Sequence, residues 1–152
     1  VYAFDPTPRS LEWVNSNKFD ERFVFSAVGV DEMDGEVIFD FPTKVQNVSF
    51  SRGDSTRPGV SLPVKRLGSI MAGLNHPHLT VLKLDVEGFE YKVLPDMLAT
   101  KIYPDVIAVE FHHRMYGFSD GDTLQAVHAL RSSGFKLFHV SQTGREYSFI
   151  KR

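Results

Sequence analysis

The chain has 152 residues, a formal net charge of −2 and no cysteine. That length suits one hydrophobic core, the near-neutral balance gives no broad pull toward nucleic acid or an anionic membrane, and the missing thiols remove disulfides, thiolate nucleophiles and thiolate metal sites. No apolar run reaches the roughly 18 to 20 residues of a membrane span, so the chain reads as soluble, with the cytosol as default compartment and a small molecule as expected partner.

Val1 to Phe4 reads as a buried strand closed by the turn chemistry of Asp5 to Pro8, after which Pro8 or Ser10 opens a helix through Leu11, Trp13 and Val14. A natural chain rarely starts inside a core strand, so the expectation is a domain cut at residue 1. Phe23 to Val30 reads as a second strand, and Asp31 to Gly35 as a turn into Glu36 to Phe41, together a hairpin. Thr43 to Gly59, rich in Ser, Thr, Arg, Pro and Gly, reads as a surface excursion with Val45, Val48 and Phe50 as spaced apolar residues. Ser61 to Leu67 leads into a helix from Gly68 to Leu74, ended by the stretch around Pro77.

From there strands and helices alternate. Thr80 to Val86 is a strand, and Glu87 to Lys101 a helix with Phe89, Val93, Leu94, Met97 and Leu98 at helical spacing and Pro95 as a kink or break. Asp105 to Phe111 is the next strand. Asp122 caps a helix with Gln125 three residues on, and Gly134 ends it. Phe135 to Val140 and Glu146 to Ile150 form a terminal hairpin. The pattern predicts a single α/β domain: a mostly parallel sheet covered on both faces, ending in an antiparallel hairpin.

Ligands of such sheets bind beyond the carboxyl ends of the strands. Acids stand at three of these ends: Asp5, then Asp85 with Glu87, then Glu110 with His112. Burying an unpaired carboxylate costs several kcal/mol, so the repetition predicts one shared polar crevice. Asp5 suits the ribose hydroxyls of a nucleoside cofactor, and suits equally a turn or cap before Pro6. Helix N-terminal charge accounts for Glu87 and Glu90, and less well for Asp85, which stands inside the strand run. His76 and His78 lie on no periodic face and read as loop residues.

The segment Leu82-Lys83-Leu84-Asp85-Val86-Glu87-Gly88-Phe89-Glu90, followed by Val93-Leu94, resembles the K-I-D-V-E-G-x-E-x-x-V-L signature of FkbM-like methyltransferases. Ala3-Phe4-Asp5-Pro6 resembles that family's A-F-E-P, Ala27 to Gly35 its A-x-x-D-x-x-G hairpin, Val64 to Leu67 the segment before its signature strand, and Pro104 to His112 its P-x-x-x-x-x-E-x-H strand. Asp5 replaces the usual Glu, and Leu67-Gly68 the common Leu-Asp. The resemblance implies a class I, Rossmann-like sheet ordered 3-2-1-4-5-7-6, entered here at its second strand, without the first, central strand and its glycine loop. It implies S-adenosylmethionine as cofactor and transfer to a hydroxyl of a sugar or other small natural product, the chain alone binding the cofactor poorly.

On this reading Glu87 or His112 is the general base, and Asp85 orients the acceptor or the cofactor's amino end. Asp5 holds the ribose, and Ser26 and Ala27 lie by the adenine. His113, Arg114 and Tyr116 line the substrate mouth or form a solvated loop. A site without a metal is the reading preferred; the alternative is a divalent ion such as Mg or Mn on Asp85, Glu110 and His112. Two other functional classes compete. One is a non-catalytic Rossmann-like module for protein or glycan contact; the other is a dinucleotide oxidoreductase, which leaves the segment Asp85 to Glu90 unexplained.

Overall fold

The computed structural model describes residues 1–40 and 59–152, which fall into two compact units, Val1–Lys65 and Arg66–Arg152. Positions 43–58 of the expected excursion, with Val45, Val48 and Phe50, lie outside the described residues.

In the first unit, β1 (Tyr2–Phe4) pairs in parallel with β2 (Val24–Ser26), Phe4 lying opposite Ser26. Between them runs α1 (Pro8–Asn15), with Thr7 as N-cap and Pro8 in the first turn, where its missing N–H costs nothing. The run Val1 to Phe4 is a strand but not a buried one: Val1 and Tyr2 are exposed and Ala3 and Phe4 half-buried. Among the described residues β1 has a hydrogen-bonded neighbour on one side only.

The expected strand Phe23 to Val30 is two strands, since β3 (Gly29–Asp31) belongs to a second sheet with β4 (Gly35–Asp40) and β5 (Gly59–Arg66). The break falls at Ala27-Val28, where Ser26 O accepts the Val28 N–H at 2.8 Å in a tight local turn. The order is β3-β5-β4, so the expected hairpin does not form and β5 takes the place between its arms. Asp31 to Gly35 connects β3 to β4; what a turn signal does not decide is which strand pairs with which. β4 and β5 run antiparallel with Val37 opposite Leu62 and Gly35 opposite Val64. Their alternation buries Val37, Phe39, Leu62 and Val64 as this unit's core.

In the second unit, α2 (Leu67–Gly73) precedes β6 (Val81–Leu84), α3 (Glu90–Ala99), β7 (Val106–Glu110), α4 (Asp120–Ser132), β8 (Phe135–Val140) and β9 (Glu146–Lys151). The sheet order is β6-β7-β9-β8: β6 and β7 are parallel, β9 antiparallel to both of its neighbours, and the terminal hairpin is formed as expected. The fold is thus mixed α/β: in the second unit's sheet β6, β7 and β8 run one way and β9 the other, while in the first unit β1 and β2 pair in parallel and β4 and β5 antiparallel.

The period-2 positions Leu82, Leu84, Ile107, Val109 and Phe149 are buried with Val93, Leu94 and Met97 of α3 and Leu130 of α4. α3 runs on through Pro95 without breaking. One backbone donor is lost there, and the burial of Val93, Leu94 and Met97 on either side holds the helix together. α4 starts earlier than expected: Ser119 is its N-cap and Asp122 the reciprocal partner of a capping box, the role expected of Gln125. Ser133 and Gly134 end it, Gly134 at φ 87°. No helix among the described residues is long and apolar enough to cross a membrane.

Candidate functional site

The parallel pair β6-β7 places the ends of both strands side by side, Leu84 opposite Val109. Beyond β6 the chain turns sharply through Glu87 (φ 51°) and Gly88 (φ 97°) before α3 begins. Such left-handed conformations are costly for a residue with a side chain, and at Glu87 the cost is about 1–3 kcal/mol. What holds the turn is Glu90, the first residue of α3 and wholly buried. Its Oε1 accepts the Val86 N–H at 3.0 Å and its Oε2 the Gly88 N–H at 3.0 Å.

Beyond β7, Phe111 and His112 are buried. His112 Nδ1 sits 2.8 Å from Glu90 Oε1. Its other nitrogen, Nε2, lies 3.3 Å from Glu87 Oε2 and 3.8 Å from Asp85 Oδ1. Asp85, Glu87 and His112 each offer an atom within 4.8 Å of the others'. Burial by itself pushes the imidazole toward its neutral form, but the Glu90 hydrogen bond and the negative charges of Glu90, Glu87 and Asp85 outweigh it, and His112 is held above the ordinary histidine value.

The loop after His112 closes over this turn. Tyr116, at φ 53°, donates its hydroxyl to Glu87 Oε2 at 2.7 Å. Burial, then the Glu87 bond, push its phenol well above the usual tyrosine value, so it stays a donor. A Cβ on Gly88 would stand 3.0 Å from Tyr116 Cδ2 and 3.2 Å from Phe118 Cε2. Phe118 in turn stacks on Tyr91 with centroids 4.2 Å apart. Tyr91 shares a 2.9 Å hydrogen bond with the buried Thr123, and burial lifts its phenol to about 12.

The acid expected at the end of β7 does not join the group. Glu110 lies opposite Glu146 on β9 and pairs with Arg145 at 3.4 Å, a cation brought beside it by the antiparallel register. In the triplet with Asp85 and His112 its place is taken by Glu87. His113 faces Thr123 at 3.3 Å and Asp120 at 3.8 Å, while Arg114 forms an exposed pair with Asp120 at 2.6 Å. His78 pairs with Asp105 on the surface.

In the first unit, Asp5 follows β1 directly. Its backbone N–H reaches Ser26 O at 3.2 Å, which sets Asp5 beside Ser26 and Ala27. Its carboxylate also serves the next helix, Oδ1 accepting the Thr7 N–H at 2.8 Å and Oδ2 the Ser10 hydroxyl at 2.7 Å. Each oxygen of the half-buried group keeps a further lone-pair direction.

Glu90 is the residue that sequence reasoning passed over, having taken it as helix N-terminal charge. The signal was its spacing: 90, 93, 94 and 97 share one helical face, and the last three are Val, Leu and Met. An acid on an apolar stripe needs a buried partner.

A family model described as the methyltransferase FkbM domain matches residues 1–137. No curated protein and no solved structure matches the chain.

Proposed function

Because the chain belongs to the FkbM methyltransferase domain family, we propose that it moves a methyl group from S-adenosylmethionine to a hydroxyl oxygen of a sugar or another small natural product. The observation that carries the hydroxyl reading is the buried His112, whose Nε2 faces the carboxylates of Glu87 and Asp85 at the end of the parallel pair. A hydroxyl must lose its proton as it attacks, so the site needs a base positioned to take it.

His112 Nε2 is that base in our reading. The same carboxylates that lift its proton affinity stabilise the imidazolium once it has accepted the proton. Glu87, anchored by the Tyr116 hydroxyl, holds that charge, and Asp85, exposed at the rim, orients the acceptor or the cofactor's amino end. S-adenosylmethionine supplies, when bound, a methyl on a sulfonium open to in-line attack.

Taken by themselves, Asp5, Ser26 and Ala27 have the chemistry a nucleoside needs. Asp5 is an acceptor-only group with lone pairs to spare for two ribose hydroxyls. Ser26 and Ala27 beside it are small, as a flat ring requires. The group works without a metal in this reading, since the proton has an acceptor in His112.

Isothermal titration of the full protein against S-adenosylmethionine and against a nicotinamide dinucleotide tests the assignment. Binding of the first and not the second is expected, with His112→Ala losing transfer to hydroxyl acceptors while still binding the cofactor. Absence of S-adenosylmethionine binding sinks the reading in favour of a non-catalytic module; full activity in both His112→Ala and Glu87→Ala removes the base.

A further inference from the structure

The methyl-transfer reading leaves the buried Glu90 without a task. Glu90 has no exposure at all and sits on the helical face of Val93, Leu94 and Met97. Leucine or methionine there would complete the core at no desolvation cost, whereas a buried carboxylate costs several kcal/mol unless its lone pairs are filled. They are filled by three N–H groups: Val86 N at 3.0 Å, Gly88 N at 3.0 Å and His112 Nδ1 at 2.8 Å.

Two of these donors are backbone groups whose direction cannot reverse. A carboxylate only accepts, so the third partner, His112 Nδ1, must carry a hydrogen. In the neutral ring the lone pair is then on Nε2, the nitrogen that faces Glu87 and Asp85. Glutamine cannot stand in. Whichever way its amide is turned, the NH2 meets at least one backbone N–H, donor against donor.

We infer that Glu90 is the positioning residue of the site: it fixes the tautomer and plane of His112 so that Nε2 is presented as proton acceptor, and by the same oxygens it ties His112 to the Val86–Gly88 turn that carries Glu87. This rests on the methyl-transfer reading for its catalytic half. Its structural half stands on the hydrogen-bond geometry alone, and the two are tested separately.

Histidine-labelled wild-type protein read by nitrogen NMR decides the structural half without any variant. At a pH above the folded value of His112, where the ring is neutral, the expected spectrum shows the Nδ1–H tautomer, with its Nδ1 proton shifted downfield by the carboxylate; the opposite tautomer overturns the inference. Glu90→Gln decides the catalytic half. It is expected to lose that downfield proton and to lower kcat roughly 10²-fold or more, with acceptor KM and S-adenosylmethionine binding within about threefold of wild type, because the group acts on the base and not on the ligands. The double variant Glu90→Gln with His112→Gln is expected to be no slower than His112→Gln alone. Unchanged kcat in Glu90→Gln overturns the role, as does a second full loss in the double variant. A full wild-type protein that shows the expected tautomer but binds no S-adenosylmethionine sinks the methyl-transfer reading and the positioning role with it, a result distinct from either of these.

Discussion

Gly88 carries two constraints at once. Its backbone is at φ 97°, and the space a side chain would fill is taken by Tyr116 and Phe118. Alanine there meets a conformational penalty of about 1–2 kcal/mol and forces the two rings aside. We expect Gly88→Ala to lower the thermal midpoint and to release the Tyr116 hydroxyl from Glu87; a melting curve and the tyrosine ultraviolet spectrum check both. Asp85, Glu87 and His112 were each legible as candidates because they are polar residues just past apolar strands. Glu110 looked the same in the sequence, and only the pairing of β7 with β9 reveals that Arg145 claims it. The carboxylate-to-histidine bond at Glu90 spans 22 residues, and no local rule states it, although the stripe of buried positions on α3 marks the acid as one that needs a partner.

The strands and helices of the second unit follow closely from periodicity, since each buries a stripe that its spacing announces. Boundaries decided by side-chain capping were less legible. Ser119 and Asp122 hold each other reciprocally, Asp122 accepting the Ser119 N–H at 2.7 Å, and the Ser119 hydrogen bonds keep the Asp122 carboxyl below the usual range. Asp122 with Gln125 offered the same local pattern one turn later, and the choice fell to the box that starts α4 nearer the loop over Gly88. Ser119→Ala is expected to cost about 1 kcal/mol, visible as a lower urea midpoint with unchanged slope. Pairing among β3, β4 and β5 was not legible for a different reason. A turn sequence states that the chain reverses, whereas the insertion of β5 between the arms depends on a strand that arrives only at Gly59.

At the scale of the whole molecule, the raised proton affinity of His112 couples folding to pH. An unfolded histidine titrates near 6.5, and in the folded chain the value lies higher, with burial opposing and Glu90, Glu87 and Asp85 prevailing. Between those two values the folded state binds more protons than the unfolded one. The stability due to this group is therefore fully present below pH of about 6.5 and is lost as pH rises through the folded value. Urea unfolding followed across that window should show stability falling with pH in the wild type, and a flatter profile in His112→Gln. The α/β class and the terminal antiparallel hairpin were legible from the alternation of apolar runs, but the split of the first unit's strands between two sheets was not, because it turns on the local break at Ala27-Val28 and on pairing with the distant β5.

One feature of the turn after β6 reaches beyond chemistry. Val86 and Gly88 belong to no strand or helix, and amides in such connections ordinarily trade their hydrogens with water quickly. Here both are clamped by a carboxylate sealed inside the protein. Their deuterium uptake should therefore be as slow as that of the neighbouring core, so that a turn with two left-handed residues in succession is also among the last parts of the second unit to open.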